Sequence, residues 1–222
     1  MKLFLDTANI TQIEDAMEKG VIQGVTTNPS LLAKEPKTDF YNHIQEIVNL
    51  CKDYKDGVPL SVEVFANEPD EIISQAEDIM QRFDYHNLNI KVPVGYEELK
   101  VISSLSDKDI PVNCTCCFTA TQMQLAALSG ARYVSLFYNR LFDVGGSPLK
   151  VIQRVRRFIE TNRLECEIIA GSIRNAYDLE DAWDHGAHIV TAGYSVVQKA
   201  TVHPKTTESV DGFLKDFGAW IS

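Results

Sequence analysis

Two hydrophobic periods alternate along this chain from one end to the other. Short β-branched or aromatic runs predict eight strands, over 2–7, 24–27, 60–65, 88–92, 112–116, 133–138, 167–171 and 188–192. Between them, segments such as 10–19, 69–83, 96–105, 120–128, 148–161 and 177–184 space their apolar residues as helices do. Gly20, Gly130 and Gly186 follow helical segments where a C-terminal cap is expected, and Asn67 and Asn175 stand at N-cap positions. Strict alternation of strand and helix predicts a parallel sheet. Eight repeats in 222 residues predict a compact α/β fold, a single (β/α)8 barrel. An open doubly wound sheet would want a glycine-rich phosphate turn after its first strand, and Asp6-Thr7-Ala8-Asn9 is not one. Residues 1–222 read as one barrel domain. Segment 196–200 starts its last helix, and 208–220 is an appended C-terminal helix with Phe213, Phe217 and Trp220 to bury.

The alternation also marks polar residues where a barrel interior should be apolar. Leu88, Ile90, Val92 and Val94 share one face of their strand, so Asn89 and Lys91 point into the barrel. Lys91 lies near the C-terminal end of that strand, where active sites of this fold are built. Burying a lysine is costly unless it is neutral or paired, and a neutral amine is a nucleophile suited to Schiff-base chemistry. Asp6, Glu63, and Asn113 with Thr115 occupy inward positions on three further strands. Each buried polar group needs partners, and this set can supply them to one another. Two carboxylates beside one lysine offer a base for a substrate hydroxyl and a proton carrier for losing water. Beyond strands six and seven, Arg140, Ser172 and Arg174 can grip a tetrahedral oxyanion through charge-assisted hydrogen bonds.

Charge and cysteine content narrow the partners. Lys plus Arg number 21 and Asp plus Glu 31, a net charge of −10, which argues against nucleic acid or an anionic membrane as partner. A small anionic substrate needs only a local basic pocket. Asp6 interrupts the N-terminal apolar stretch, no apolar run is long enough to span a bilayer, and five cysteines form no disulfide framework. A reducing, cytoplasmic location is expected. Cys114, Cys116 and Cys117 could suggest zinc, but strand alternation sets Cys117 apart from the other two and no histidine is near in sequence. No metal and no cofactor is expected.

These residues carry a resemblance. Phe4-Leu5-Asp6-Thr7-Ala8-Asn9, Gly24-Val25-Thr26-Thr27-Asn28-Pro29-Ser30, Ile90-Lys91-Val92-Pro93, Asn113-Cys114-Thr115 and Ala170-Gly171-Ser172-Ile173-Arg174 resemble the small transaldolase family, which includes the fructose-6-phosphate aldolases. The resemblance implies a metal-free class I mechanism. Lys91 would form a Schiff base with a ketose, and Asp6 would take the C4 hydroxyl proton. Glu63 and Thr115 would handle the catalytic water. Asn28, Asn113 and Ser135 would hold the three-carbon unit, with Thr27 and Phe137 beside it, and Arg140, Ser172 and Arg174 would hold the distal anion. It also implies a homo-oligomer, a pentamer or decamer, and a place in pentose phosphate metabolism.

Within the resemblance, Glu63 and Phe137 match transaldolases, whereas the aldolases have glutamine and tyrosine there. Transfer of a dihydroxyacetone unit from a ketose 6-phosphate to an aldose phosphate is therefore the leading expectation. Leu136-Phe137-Tyr138, Cys116-Cys117 and Ala192-Gly193-Tyr194 depart from the family pattern near the substrate mouth. They leave open a transaldolase of 6-deoxy-6-sulfofructose, with a sulfonate in the anion site, as well as a fructose-6-phosphate aldolase. A non-catalytic barrel that binds a sugar phosphate is the alternative from another class; loss of Lys91 would be its signature.

Overall fold

The two periods become two concentric layers. The computed structural model describes residues 1–221. In chain order its elements begin β1 (Lys2–Asp6), α1 (Ile10–Glu18), β2 (Val25–Thr26), α2 (Pro29–Leu32), α3 (Phe40–Asp53), β3 (Leu60–Glu63), α4 (Pro69–Phe83), β4 (Leu88–Pro93) and α5 (Glu98–Ser106). There follow β5 (Val112–Cys117), α6 (Ala120–Leu128), β6 (Tyr133–Phe137), α7 (Tyr138–Asp143), α8 (Pro148–Asn162) and β7 (Glu167–Ile173). The chain ends with α9 (Ala176–Asp184), β8 (Ile189–Ala192), α10 (Tyr194–Ala200) and α11 (Pro204–Ile221). The strands pair in parallel from β1 to β8, and β8 returns to β1. The described residues thus form the (β/α)8 barrel that the alternation predicts, closed and without an open edge.

Helix faces follow the same logic. In α4 the buried residues are Ile72, Ala76, Ile79 and Phe83, one turn apart, and they pack on the outward valines and leucines of the strands. α3 is a helix beyond those the sequence pattern predicts. Its buried residues Ile44, Ile47, Val48 and Cys51 do keep the helical period, and Asp39 caps it by accepting the Asn42 N–H. Asn175 caps α9 as expected, accepting from the Asp178 N–H. Asn67 does not cap α4: Pro69 takes the first helical position, which moves the cap to Glu68. The appended helix starts earlier than 208, at Pro204.

Strict alternation fails at two strands. The register of β5 shifts between Cys114 and Cys117, and that of β7 between Ala170 and Ile173. At the centre of each irregularity a non-glycine residue takes a left-handed backbone, Cys116 with φ 62° and Ser172 with φ 61°. These are β-bulges, which re-aim side chains beside functional sites. The bulge corrects the expected cysteine arrangement. Cys117 joins Cys114 in the buried layer, their Sγ atoms 4.0 Å apart, while Cys116 turns to the barrel mouth.

The lower half of the barrel interior is sealed. Phe4, Tyr133, Ile169 and Ile189 form a separate buried cluster, with Phe4 and Tyr133 edge to face at 6.4 Å. Gly24 begins the turn into β2 directly against Phe4. A Cβ there would lie 2.5 Å from the ring, so only glycine lets the aromatic plug seat. Asn89 stays at this lower end, its Nδ2 donating to the Asn87 and Leu60 carbonyls, while Asp6, Glu63, Lys91 and Thr115 lie towards the opposite end.

Candidate active site

Strand register assembles the polar layer above the plug. Glu63 lies beside Lys91, Lys91 beside Asn113, and Asp6 beside Thr26 as neighbours on paired strands. Lys91 is 6% exposed, and its ammonium is held by Glu63 Oε2 at 2.8 Å and by the Thr27 carbonyl at 2.8 Å. Of the two ways to bury a lysine, the structure shows pairing. Breaking such a pair by removing one partner costs about 3–5 kcal/mol, so the two residues hold each other in place.

Asp6 ends β1 and opens onto the same space. Desolvation pushes its carboxyl above the usual range, opposed by Lys91 and by a hydrogen bond from Thr26 Oγ1 at 2.7 Å. A carboxylate held this way is a stronger base than a free one. Across the barrel, Ser135 Oγ donates to Asn113 Oδ1 at 2.6 Å, and Asn113 Nδ2 donates to Ser61 Oγ at 3.1 Å. Asn28 spends its Oδ1 on the Leu31 N–H as the cap of α2. Thr27 is buried, and its hydroxyl donates to the Ser61 carbonyl, so it meets Lys91 through its backbone.

Two connected spaces lie over these groups. The inner one, about 40 Å³, is bordered by Asp6, Thr26, Lys91, Asn113, Thr115 and Ser135 among others. The outer cleft, about 360 Å³, has Asn28, Lys34, Glu63, Cys116, Arg140 and Ser172 on its walls and shares Asp6 and Lys91 with the inner one. Phe137 borders both, set edge to face against Phe118 at 5.7 Å, and the Arg140 guanidinium lies over its ring at 4.5 Å. The bulge at Ser172 delivers that hydroxyl to the cleft, while its carbonyl accepts from Asn139 Nδ2 at 3.0 Å.

The structure therefore gathers Asp6, Asn28, Glu63, Lys91, Asn113, Thr115, Ser135, Phe137, Arg140 and Ser172 at one mouth. Arg174 stands apart. Its guanidinium makes a two-pronged pair with Asp143, at 2.7 and 2.5 Å, and it is not on the cleft wall. Asp143 holds the guanidinium and is itself held below the usual carboxylate range by it. Lys34 is the cation that sequence reasoning missed. It follows α2 directly in the Asn28 loop, a placement that no periodicity signals. Among the described residues, no group of three or more His, Cys, Asp or Glu is placed to hold a metal ion.

A closed parallel barrel with its charged and polar side chains collected at the carboxyl ends of the strands defines a (β/α)8 protein of the enzyme type. The chain belongs to the Transaldolase/Fructose-6-phosphate aldolase family, whose model matches residues 3–220. A "Probable transaldolase" of Alkaliphilus metalliredigens is 40% identical over 217 residues, covering 98% of each chain. A "Probable transaldolase 1" of Bacillus cereus is 40% identical, covering 98% of this chain and 97% of its own. The "Probable transaldolase" of Geobacillus kaustophilus is 39% identical over 98% of each. Among solved structures, a chain of a cube-shaped, porous cage designed by fusing symmetric oligomeric domains matches with a TM-score of 0.62 at 14% identity. That match covers 99% of this chain and 78% of the other, a likeness of fold alone.

Proposed function

We propose that this chain is a transaldolase that moves a dihydroxyacetone unit from a ketose 6-phosphate to an aldose phosphate. The observation that carries the reading is Lys91, buried, paired with Glu63, and open to a cleft that also holds Asp6. Passing a proton from Lys91 to Glu63 frees the amine to attack C2 of the ketose. The carbinolamine loses water beside Glu63 and Thr115, which leaves a Schiff base. Asp6 then takes the C4 hydroxyl proton as the C3–C4 bond breaks, and the bonding electrons pass to the imine nitrogen as an enamine. The aldose leaves, an acceptor aldehyde enters, and Asp6 returns the proton to its oxygen as the new bond forms. Water then hydrolyses the new Schiff base to release the ketose and the Lys91 amine. Phe137 carries no hydroxyl with which to protonate the enamine, which favours transfer over release.

Asn113 and Ser135, already linked to each other, offer the polar edge for the three-carbon unit, with Asn28 opposite. Lys34, Arg140 and Ser172 border the outer cleft. Two cations suit the two charges of a phosphate better than the single charge of a sulfonate. Arg174 joins them by exchanging Asp143 for the substrate oxyanion, an exchange open to it because both partners are exposed. Competition between fructose 6-phosphate and 6-deoxy-6-sulfofructose as donors tests the headgroup; preference for the sulfonate would overturn the phosphate assignment. Arg140→Ala should lower kcat/KM for fructose 6-phosphate roughly ten- to hundredfold, the worth of about 1.5–3 kcal/mol. The same variant should barely affect unphosphorylated dihydroxyacetone. Equal losses on both would make Arg140 a structural residue.

The homo-oligomer belongs to this proposal too. Every described residue of α11 is exposed, including Phe213, Leu214, Phe217 and Trp220, and nothing in its own barrel covers them. An aromatic row of that extent is the mark of an association surface. Deleting 212–222 should reduce the mass measured by light scattering. An unchanged mass would place the helix outside the assembly. Among the described residues no helix is long and apolar enough to cross a membrane. The five free cysteines suit a reducing compartment, and a cytoplasmic location is part of the proposal.

A further inference from the structure

The Asp6 carboxylate makes one side-chain hydrogen bond among the described residues, and its donor belongs to none of the groups that handle substrate. Thr26 is almost fully buried, beside Asp6 in the β1–β2 register and beside Ser61 in the β2–β3 register. Its Oγ1 lies 2.7 Å from Asp6 Oδ1 and 2.6 Å from Thr191 Oγ1 on β8. An ionised carboxylate can only accept. Thr26 must then spend its single hydroxyl proton on Asp6 and accept in turn from Thr191. The chain of hydroxyls is thereby polarised in one direction, Thr191 to Thr26 to Asp6, and each bond strengthens the next.

From this geometry we infer that Thr26, oriented by Thr191, is a positioning residue that aims Asp6 and keeps it a proton acceptor. The inference rests on the acid–base role proposed for Asp6. One carboxylate oxygen is pinned from the barrel wall, which leaves the other for the substrate hydroxyl. The charged groups that bear on Asp6 are Lys91 from β4 and Lys34 after α2, which favour the anion, and Glu63 from β3, which opposes it. Desolvation opposes the anion more strongly than any of these, so the donated hydrogen bond from Thr26 offsets part of that penalty. Sequence offers no hint of this function. A threonine in a strand reads as β-propensity.

The test compares pH profiles of kcat/KM for fructose 6-phosphate in the wild type, Thr26→Val, Thr26→Ser, Thr191→Val and Asp6→Asn. Valine keeps the branched shape and removes only the hydroxyl. Substrate ionisation is common to all variants and cancels in the comparison. Thr26→Val should move the acidic limb up by about one to two pH units, since loss of a donor favours the protonated acid. Thr191→Val should move it the same way by less, and Thr26→Ser should restore it. Borohydride trapping at Lys91 should stay within about twofold of wild type. A folded Thr26→Val enzyme with an unmoved limb overturns the inference, because a merely structural threonine would lower the melting temperature alone. If Thr26→Val does not fold, an unmoved limb in Thr191→Val overturns it equally. An acidic limb that persists in Asp6→Asn instead overturns the role of Asp6, whatever the threonine variants do.

Discussion

Lys91→Met should abolish turnover and leave no lysine that borohydride can trap in the presence of fructose 6-phosphate. In the wild type, the added mass should fall on the peptide containing Lys91. Loss of the covalent route should cost on the order of 10⁴- to 10⁶-fold in kcat, as removal of a nucleophile does elsewhere. Stability has to be separated from chemistry here, because Lys91 and Glu63 are paired on the cleft wall at 2.8 Å. Removing the lysine strands Glu63 without its cation, at about 3–5 kcal/mol. The double variant Lys91→Met with Glu63→Gln removes the stranded Glu63 charge, leaving only Asp6, and should recover part of the melting temperature, yet none of the activity. A wild-type adduct on any other lysine would sink the assignment.

The second large effect is expected at Asp6. Asp6→Asn keeps the size of the side chain and an oxygen that can still accept from Thr26, but removes the proton acceptor. Turnover should fall about 10²- to 10⁴-fold, the usual contribution of a general acid–base group. In the proposed mechanism the Schiff base forms before the carbon–carbon bond breaks, so trapping at Lys91 should persist within a few fold. Rapid-quench trapping beside steady-state turnover makes the comparison. If the two fall together, Asp6 acts earlier than cleavage.

The barrel was legible because parallel strands covered by helices obey simple periods, and because polar residues at inward positions violate them conspicuously. Asp6, Glu63, Lys91, Asn113 and Thr115 could be placed on one end of one interior by alternation alone. That rule assumes each strand keeps a period of two, and at Cys116 it does not. A left-handed residue in mid-strand leaves no mark in the side-chain pattern, so the side on which Cys117 falls was misplaced. The helix over 40–53 is hard to read although its apolar residues repeat correctly. Its polar lead-in, with Pro36, resembles a long loop. Arg174 and Asp143 are 31 positions apart, and their pairing depends on how α7 and the end of β7 meet in space. Lys34 reaches the cleft from a loop, where no periodicity exists. What the sequence withholds is tertiary: which cation is free, which is already engaged, and which hydroxyl orients a carboxylate.

The aromatic plug beneath the site has a consequence for traffic. Among the described residues, Phe4, Tyr133, Ile169 and Ile189 fill the far end of the barrel interior, so the space over Lys91 opens on the side of the cleft. In the proposed transfer, the first aldose would leave by the side from which the second arrives, while the three-carbon fragment waits tethered to Lys91. Departing and arriving sugars would then compete for the same vestibule, and an excess of either aldehyde should slow the exchange of the other. In the proposed transfer the covalent step sets the order, one out before one in, and the hydrocarbon wall sets only the route both sugars share.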